Sequence, residues 1–105
     1  MSDNDTLTVE SDVTVDTSAA EPVELEGHSF STSSTTITNN GTIIGTTKGI
    51  EADQSTDFSI NNSGTVSVTD NANSPGSALS LLQSRGTVSI VNSGTLESER
   101  ADTIK

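Results

Sequence analysis

The residues whose types could carry catalysis are aspartates and basic residues scattered from residue 48 onwards. Paired carboxylates beside a cation can cleave a polysaccharide, because one carboxyl group donates a proton while the other accepts one or attacks. The candidates are Asp53, Asp57, Asp70 and Asp102, together with Lys48, Arg85 or Arg100. None of them recurs at the same offset in successive copies of the repeat that organises this chain, as a site built on stacked repeats requires. The sequence therefore predicts no catalytic site.

One loop has the alternating oxygen ligands of a calcium site. Its sequence is Asp70-Asn71-Ala72-Asn73, but it lacks the glycine and the distal glutamate of a helix-loop-helix calcium site. We interpret it as a solvated turn, with calcium binding as the open alternative, and predict no other cofactor. The single histidine, His28, is typical of a surface or turn position. The chain has no cysteine, which excludes a disulfide framework, a thiol nucleophile and a cysteine-ligated metal.

A short repeat is the strongest signal in the chain, and it occurs at residues 36–43, 59–66 and 89–96. Each copy has isoleucine four residues before a glycine and asparagine two residues before it, and threonine and an aliphatic residue follow the glycine. The shared positions are Ile37, Ile60 and Ile90; Asn39, Asn62 and Asn92; and Gly41, Gly64 and Gly94. Internal repeats of this kind predict a stacked architecture before any single strand is assigned.

Asn-Gly between two apolar alternations normally predicts a β-hairpin. A two-residue hairpin around Ser63-Gly64 would place Phe58 and Ile60 on one face of the ribbon and Val66 on the other. A lone ribbon cannot bury both of its faces. If the chain instead turns a corner at each glycine, the alternation restarts and both sets of side chains point into one core. The repeat therefore favours corners, with copies one coil apart pairing in parallel at about 4.8 Å.

These corners predict a structural ladder made of the nine shared residues. Each asparagine would pass a side-chain amide hydrogen bond to the next one and so satisfy the polar groups of the corner. Each glycine would supply the positive φ or the room that the corner needs, and the isoleucines would stack on each other. This structural role accounts for every residue of the motif and leaves none that demands a catalytic role.

The alternation predicts an all-β fold, a right-handed parallel β-helix (solenoid) of about three coils, because crossovers between parallel strands are right-handed. Val23, Ile50, Leu79 and Ile104 would open successive coils, at spacings of 27, 29 and 25 residues. Residues 1–26 hold eight acidic residues and no basic one, which predicts a charged cap of the stack. Residues 27–105 would form the coils. The strand opening at Ile104 predicts further coils beyond the C-terminus, or self-association through an uncapped end.

Composition and charge narrow the class of protein. The 105 residues are 29% hydrophobic and 2% aromatic, too little for a thick layered core but enough for thin repeating strands. A net charge of -11 argues against nucleic acid or an anionic membrane as a partner. No apolar run approaches membrane-spanning length, so we predict no membrane insertion, and the N-terminus lacks the form of a secretory signal. A disordered acidic linker is the alternative that this composition leaves open.

The corner sequences Asn-Asn-Gly-Thr-Ile, Asn-Ser-Gly-Thr-Val and Asn-Ser-Gly-Thr-Leu resemble repeats in right-handed parallel β-helix regions of large bacterial exoproteins. Autotransporter passengers and filamentous adhesins are among these proteins. The resemblance implies a secreted or cell-surface protein, but such regions serve adhesins, toxins and proteases alike. Because the motif leaves no residue for catalysis, we predict a structural or adhesive function without enzymatic activity. The implied partners are neighbouring coils of the same protein, and glycans or proteins of a host or matrix surface. The alternative is a segment of a β-helical polysaccharide-active enzyme whose catalytic coils lie outside this chain.

Overall fold

The computed structural model describes residues 6–16, 23–24, 35–53, 56–69, 76–99 and 102–105, and every regular element in them is a β-strand. In chain order the strands are β1 (Thr6–Val9), β2 (Thr14–Asp16), β3 (Val23–Glu24), β4 (Thr36–Asn39), β5 (Thr42–Gly45), β6 (Lys48–Glu51), β7 (Thr56–Asn62), β8 (Thr65–Val68), β9 (Ser77–Ser80), β10 (Arg85–Asn92) and β11 (Thr95–Ser98). Many of them alternate Ser or Thr with aliphatic residues, which suits a pleated surface with one buried face. The described residues contain no helix that could span a membrane.

The strands form three sheets, and all pairing between the described strands is parallel. The first sheet has the order β1-β4-β7-β10, the second β2-β5-β8-β11 and the third β3-β6-β9. Each strand therefore pairs with the strand three elements away, and the chain visits the sheets in a fixed rotation. We call one such set of strands a row. Row 1 is β1 to β3, row 2 is β4 to β6, row 3 is β7 to β9, and row 4 is β10, β11 and Ile104, which bridges to Leu79.

The prediction of an all-β chain with parallel pairing is confirmed. The residues expected to open successive coils lie opposite one another, Val23 on Ile50, Ile50 on Leu79 and Leu79 on Ile104. The strands on either side of the turn after β7 lie in different sheets, so this turn is a corner and not a hairpin. Residues before and after the corner can then both point inward.

The buried side chains form columns that run from row to row. Ile60 lies opposite Ile37 on one side and Ile90 on the other, and Val66 lies opposite Ile43. Paired strands are about 4.8 Å apart, so each side chain of a column packs directly on the next. The buried hydrophobic residues of the core are Val9, Val23, Ile37, Ile43, Ile50, Ala52, Phe58, Ile60, Val66, Val68, Ala78 and Leu79.

Among the described strands, two sheets hold four and the third holds three, compared with the prediction of about three coils. The additional row comes from the acidic segment 1–26, which supplies β1, β2 and β3 as the first strand of each sheet. Counting by the repeat missed this row because residues 10–13 replace Asn-Gly at its first corner. The described strands of the acidic segment therefore form the first row.

Candidate functional site: the asparagine corner and a charged cluster

Three asparagines lie one above another at the corner between the first and second sheets. Asn39 Nδ2 donates a hydrogen bond to Asn62 Oδ1 at 2.8 Å, and Asn62 Nδ2 donates to Asn92 Oδ1 at 2.7 Å. Asn39 and Asn62 are fully buried, whereas Asn92, in the end row, is exposed. The chain of amides therefore runs in one direction, from row 2 to row 4.

The buried amides also bind backbone groups. Asn39 Nδ2 donates to the carbonyl oxygen of Thr65 at 3.0 Å, and Asn62 Nδ2 donates to that of Thr95 at 3.1 Å. Within its own corner, Asn39 Oδ1 accepts a hydrogen bond from the N–H of Gly41 at 3.2 Å. Each buried amide thus has partners for its donors and its acceptor. This avoids the cost of about 1–3 kcal/mol that an unsatisfied buried polar group carries.

The corner glycines are required for room and not for an unusual backbone angle. A Cβ atom built on Gly64 would overlap the carbonyl oxygen of Gly41, and one built on Gly94 would overlap that of Gly64. Gly41 is packed in the same way against backbone oxygens of row 1. Among the described glycines, positive φ occurs at Gly86 alone, away from the corners. Of the two reasons expected for the glycines, close approach between rows is the one that applies here.

A charged cluster lies at the end of β6. Lys48 Nζ binds the carboxylates of Glu51 and Asp53, the latter at 3.1 Å. Asp53 Oδ1 also accepts hydrogen bonds from the Ser80 hydroxyl at 2.7 Å and from the backbone N–H of Leu82 at 2.8 Å. Ser80 ends β9 and Leu82 follows it, so Asp53 connects row 2 to row 3.

The surroundings shift the pKa values of all three groups. Burial lowers the pKa of Lys48, but hydrogen bonds to Glu51 and Asp53 outweigh burial and raise it overall. Burial raises the pKa of Glu51, and the hydrogen bond from Lys48 offsets this only in part. Burial would also raise the pKa of Asp53, but the hydrogen bonds that it accepts outweigh burial and lower it. Glu51 is therefore the carboxylate that protonates first as the pH falls.

Replacing Asp53 with asparagine is expected to make the free energy of unfolding depend less on pH in the acidic range. The pKa of Asp53 is lower in the folded than in the unfolded chain. Its carboxylate therefore contributes stability that is fully present above the unfolded pKa and is lost as the pH falls through the folded pKa. Glu51 acts in the opposite sense, because its raised pKa gives a contribution present below the unfolded pKa and lost as the pH rises through the folded one.

We expect the difference in unfolding free energy between wild type and Asp53→Asn to be largest above about pH 5 and to shrink as the pH falls below about 4. Urea unfolding across that pH range measures it. Asp102→Asn, at an exposed position, is the matched control and should shift the curve little. A difference that stays constant with pH would show that the carboxylate of Asp53 does not stabilise the folded chain.

Glu51 was missed in the sequence. It joins Lys48 and Asp53, the two catalytic candidates that this cluster brings together. The signal that could have found it is its position two residues before Asp53, with the buried Ala52 between them. Residues two apart on a strand point to the same face, so the pair could have been predicted as neighbours.

Asp57, another catalytic candidate, lies at an irregularity in the pairing of β7 with β10. Gly86 and Thr87 of β10 stand opposite Asp57 alone, which makes a β-bulge. Asp57 has a positive φ of 54°, and its Oδ1 accepts a hydrogen bond from the N–H of Thr87 at 2.6 Å. A short polar side chain is tolerated in this backbone conformation. The position of Asp57 thus has a structural explanation.

The remaining catalytic candidates are dispersed. Arg85 is the first residue of β10 and lies opposite Thr56. Asp102 is exposed in the end row. Asp70 and Arg100 lie outside the described residues, as do His28 and the loop 70–73 with its calcium alternative.

The part of the chain that the structure describes shows no pocket. Its His, Asp and Glu side chains form no group of three or more that could hold a metal ion. Comparison of the whole chain with protein-family models, curated proteins and solved structures gives no match. Function is therefore inferred from the geometry of the rows and from the corner sequences.

Proposed function

We propose that this chain is a segment of right-handed parallel β-helix in which each row is one coil. Three features support the proposal: the pairing of the described strands is parallel, the strands enter the three sheets in rotation, and equivalent residues of the repeat pair with each other. Crossovers between parallel strands are right-handed almost without exception, which gives the sense of the coil. Each coil would lengthen the segment by about 4.8 Å.

The function that this geometry supports best is structural or adhesive, without catalysis, in a secreted or cell-surface bacterial protein. One contrast within the repeat carries it. The inward position holds isoleucine in every copy, at Ile37, Ile60 and Ile90. The next position points outward and differs in every copy, as Thr38, Asn61 and Val91. A constant interior gives a rigid rod, while a variable exterior can be adapted to a partner at no cost to the fold.

The partners that fit are neighbouring coils along the same rod, and glycans or proteins of a host or matrix surface. The small, uncharged side chains on the outer face of β4 and β7 suit hydrogen bonding to such surfaces. These residues are Thr36, Thr38, Ser59 and Asn61, and Asp57 adds one partly exposed carboxylate on β7. The net charge of -11 makes nucleic acid and anionic membranes unfavourable partners.

A segment of a polysaccharide-active enzyme is the second candidate, and one observation favours it. Glu51 and Asp53 lie beside the ammonium group of Lys48, and their pKa values are displaced in opposite directions. Such displacement is typical of acid–base pairs, but structural ion networks cause it too. Here the contacts of Asp53 with Ser80 and Leu82 give it a structural role. We therefore rank this candidate second.

One experiment with two readouts separates the candidates. The chain is passed over immobilised host glycans, bacterial polysaccharides and matrix proteins, and both retention and released sugar are measured. We expect retention on at least one surface and no released sugar. Asn61→Lys, on the outer face of β7, should reduce retention, whereas the inward control Ile60→Val should not. Sugar release that disappears in Asp53→Asn would overturn the proposal in favour of the enzyme, and absence of retention on every surface would remove the adhesive function.

A further inference from the structure

The two end rows of the stack differ in how well their inward residues are covered. In row 1, Val9 is 3% exposed and Val23 is 5% exposed. In row 4, the inward residues Val88 and Ile104 are 36% and 47% exposed. The third-sheet column, which runs from Val23 to Ile104, is therefore closed at row 1 and open at row 4, whereas the other end-row members, Leu7, Val15, Ile90 and Leu96, are all partly buried.

The asparagine ladder also differs between its two ends. At row 1, Val9 lies opposite Asn39, so an aliphatic side chain stands at the start of the ladder. At row 4, Asn92 Nδ2 donates within its own corner to the carbonyl oxygen of Gly94 at 3.2 Å. The two bonds that Asn62 Nδ2 makes to the following row have no counterpart at Asn92 among the described residues. The ladder thus ends with an amide donor facing outward.

Backbone hydrogen bonds at the corners also repeat from row to row, with the N–H groups of each row donating to the row before it. The N–H groups of Ser63 and Gly64 both donate to the carbonyl oxygen of Asn39, at 2.9 and 3.0 Å. One row later, those of Ser93 and Gly94 donate to the carbonyl oxygen of Asn62, at 2.9 and 3.2 Å. The carbonyl oxygen of Asn92 is the next acceptor in this series. Row 4 therefore presents the full pattern that rows 2 and 3 use to bind the row after them.

We infer that the open face of row 4 binds one further strand segment that carries the same repeat, with isoleucine, asparagine and glycine at the same offsets. The asparagine of this segment supplies the Oδ1 acceptor for Asn92 Nδ2, and its corner N–H groups meet the carbonyl oxygen of Asn92. Its glycine is required because any Cβ there would overlap the carbonyl oxygen of Gly94, as at the corners below. The inference rests on the proposed β-helix and adds the identity of the segment that extends it.

The same requirements exclude row 1 of a second copy as the occupant. Row 1 has Val9 where the acceptor is needed, and it has residues 10–13 in place of the Asn-Gly corner. Glu10 and Asp12 also place two exposed acidic side chains there. Head-to-tail stacking of identical chains is thereby disfavoured, and the specificity of the open face is for a repeat of the row 2 to row 4 type.

The test is the binding of labelled synthetic peptides to the full chain, measured by fluorescence anisotropy. The peptide of residues 58–68, from row 3, should bind saturably. The same peptide with Asn62→Leu should bind at least about tenfold more weakly, the change expected from loss of one net hydrogen bond. The peptide of residues 6–16, from row 1, is the matched control and should not bind. In the chain itself, Asn92→Asp keeps the acceptor for Asn62 but removes the outward donor, and should weaken binding of the 58–68 peptide to a similar extent.

Equal binding of the 58–68 and 6–16 peptides, or no binding of either, would overturn the inference. Hydrogen exchange of the chain alone separates that outcome from failure of the proposed β-helix. The N–H groups of Gly64 and Thr65 donate to carbonyl oxygens of row 2 and should be protected if the rows are stacked. Protection without peptide binding leaves the β-helix standing and removes the inference. Free exchange at both amides removes the two together.

Discussion

Replacing Gly64 with alanine is expected to lower the free energy of unfolding by at least about 3 kcal/mol, the range of severe overpacking. The added methyl group would overlap the carbonyl oxygen of Gly41 and come within 2.8 Å of the carbonyl carbon of Asn40. These are backbone atoms of the preceding row and cannot move aside as a flexible side chain would. Relief would require rows 2 and 3 to separate, and that would stretch the hydrogen bond between Asn39 and Asn62. Urea unfolding followed by circular dichroism measures the loss.

Two control variants test whether the loss of stability comes from close approach between rows or would follow any substitution at the corner. Ser63→Ala, next to Gly64, removes one exposed hydrogen bond to Asn40 and should cost less than about 1 kcal/mol. Gly94→Ala makes the same kind of overlap, but in the end row, which can shift outward, so its cost should lie between the other two. If Gly64→Ala were no worse than Ser63→Ala, the rows would be farther apart than the structure shows.

Replacing Asn62 with leucine is expected to destabilise the chain by about 2–3 kcal/mol, because the buried amide of Asn39 and polar groups of row 4 all lose a partner. Asn39 Nδ2 would lose one of its two acceptors, and Asn92 Oδ1 and the carbonyl oxygen of Thr95 would lose a donor. Leucine is also larger than the asparagine whose closely packed site it would fill. Thermal and urea unfolding both report the change.

Asn92→Leu is the matched control for this prediction. Asn92 occupies the same position of the repeat but is exposed, and the buried Asn62 Nδ2 that it accepts from keeps the carbonyl oxygens of Gly64 and Thr95 as acceptors. We expect a loss of less than about 1 kcal/mol. Equal losses for Asn62→Leu and Asn92→Leu would mean that burial does not set the strength of the ladder. Unchanged unfolding of Asn62→Leu would require Asn62 to face solvent.

The repeat contained most of the information about register. Ile60 lies opposite Ile37 and Ile90 because the three share one offset from a glycine, and a one-residue slip would turn isoleucine outward and threonine inward. Row 1 could not be found in this way. Its first corner lacks asparagine and glycine, so nothing in its sequence marks Val9 as the residue opposite Asn39.

Only part of the charged cluster could be predicted from the sequence. Rows 2 and 3 contain different numbers of residues, so the sequence does not show which residues near β6 and β9 lie opposite each other. Asp53 and Ser80 are 27 residues apart and share no motif, and their contact follows from the pairing of β6 with β9. The glycines show a different limit. Their positions are evident in the sequence, but only the distance between rows decides between close approach and positive φ as the reason for them.

The unequal lengths of the connections indicate where foreign sequence can be inserted. Between the first and second sheets, rows 2 to 4 allow two residues each, as at Ser63 and Gly64, and the packing at the glycines leaves no space for more. Between the second and third sheets the connection ranges from residues 46–47 in row 2 to residues 69–76 in row 3. Since closing a longer loop costs little, about 0.6 kcal/mol for each doubling, peptides grafted at this second set of connections should leave the stack intact. Grafts on successive rows would then lie along one side of the molecule, separated by the distance between rows. The chain could therefore be used to present epitopes at a defined spacing.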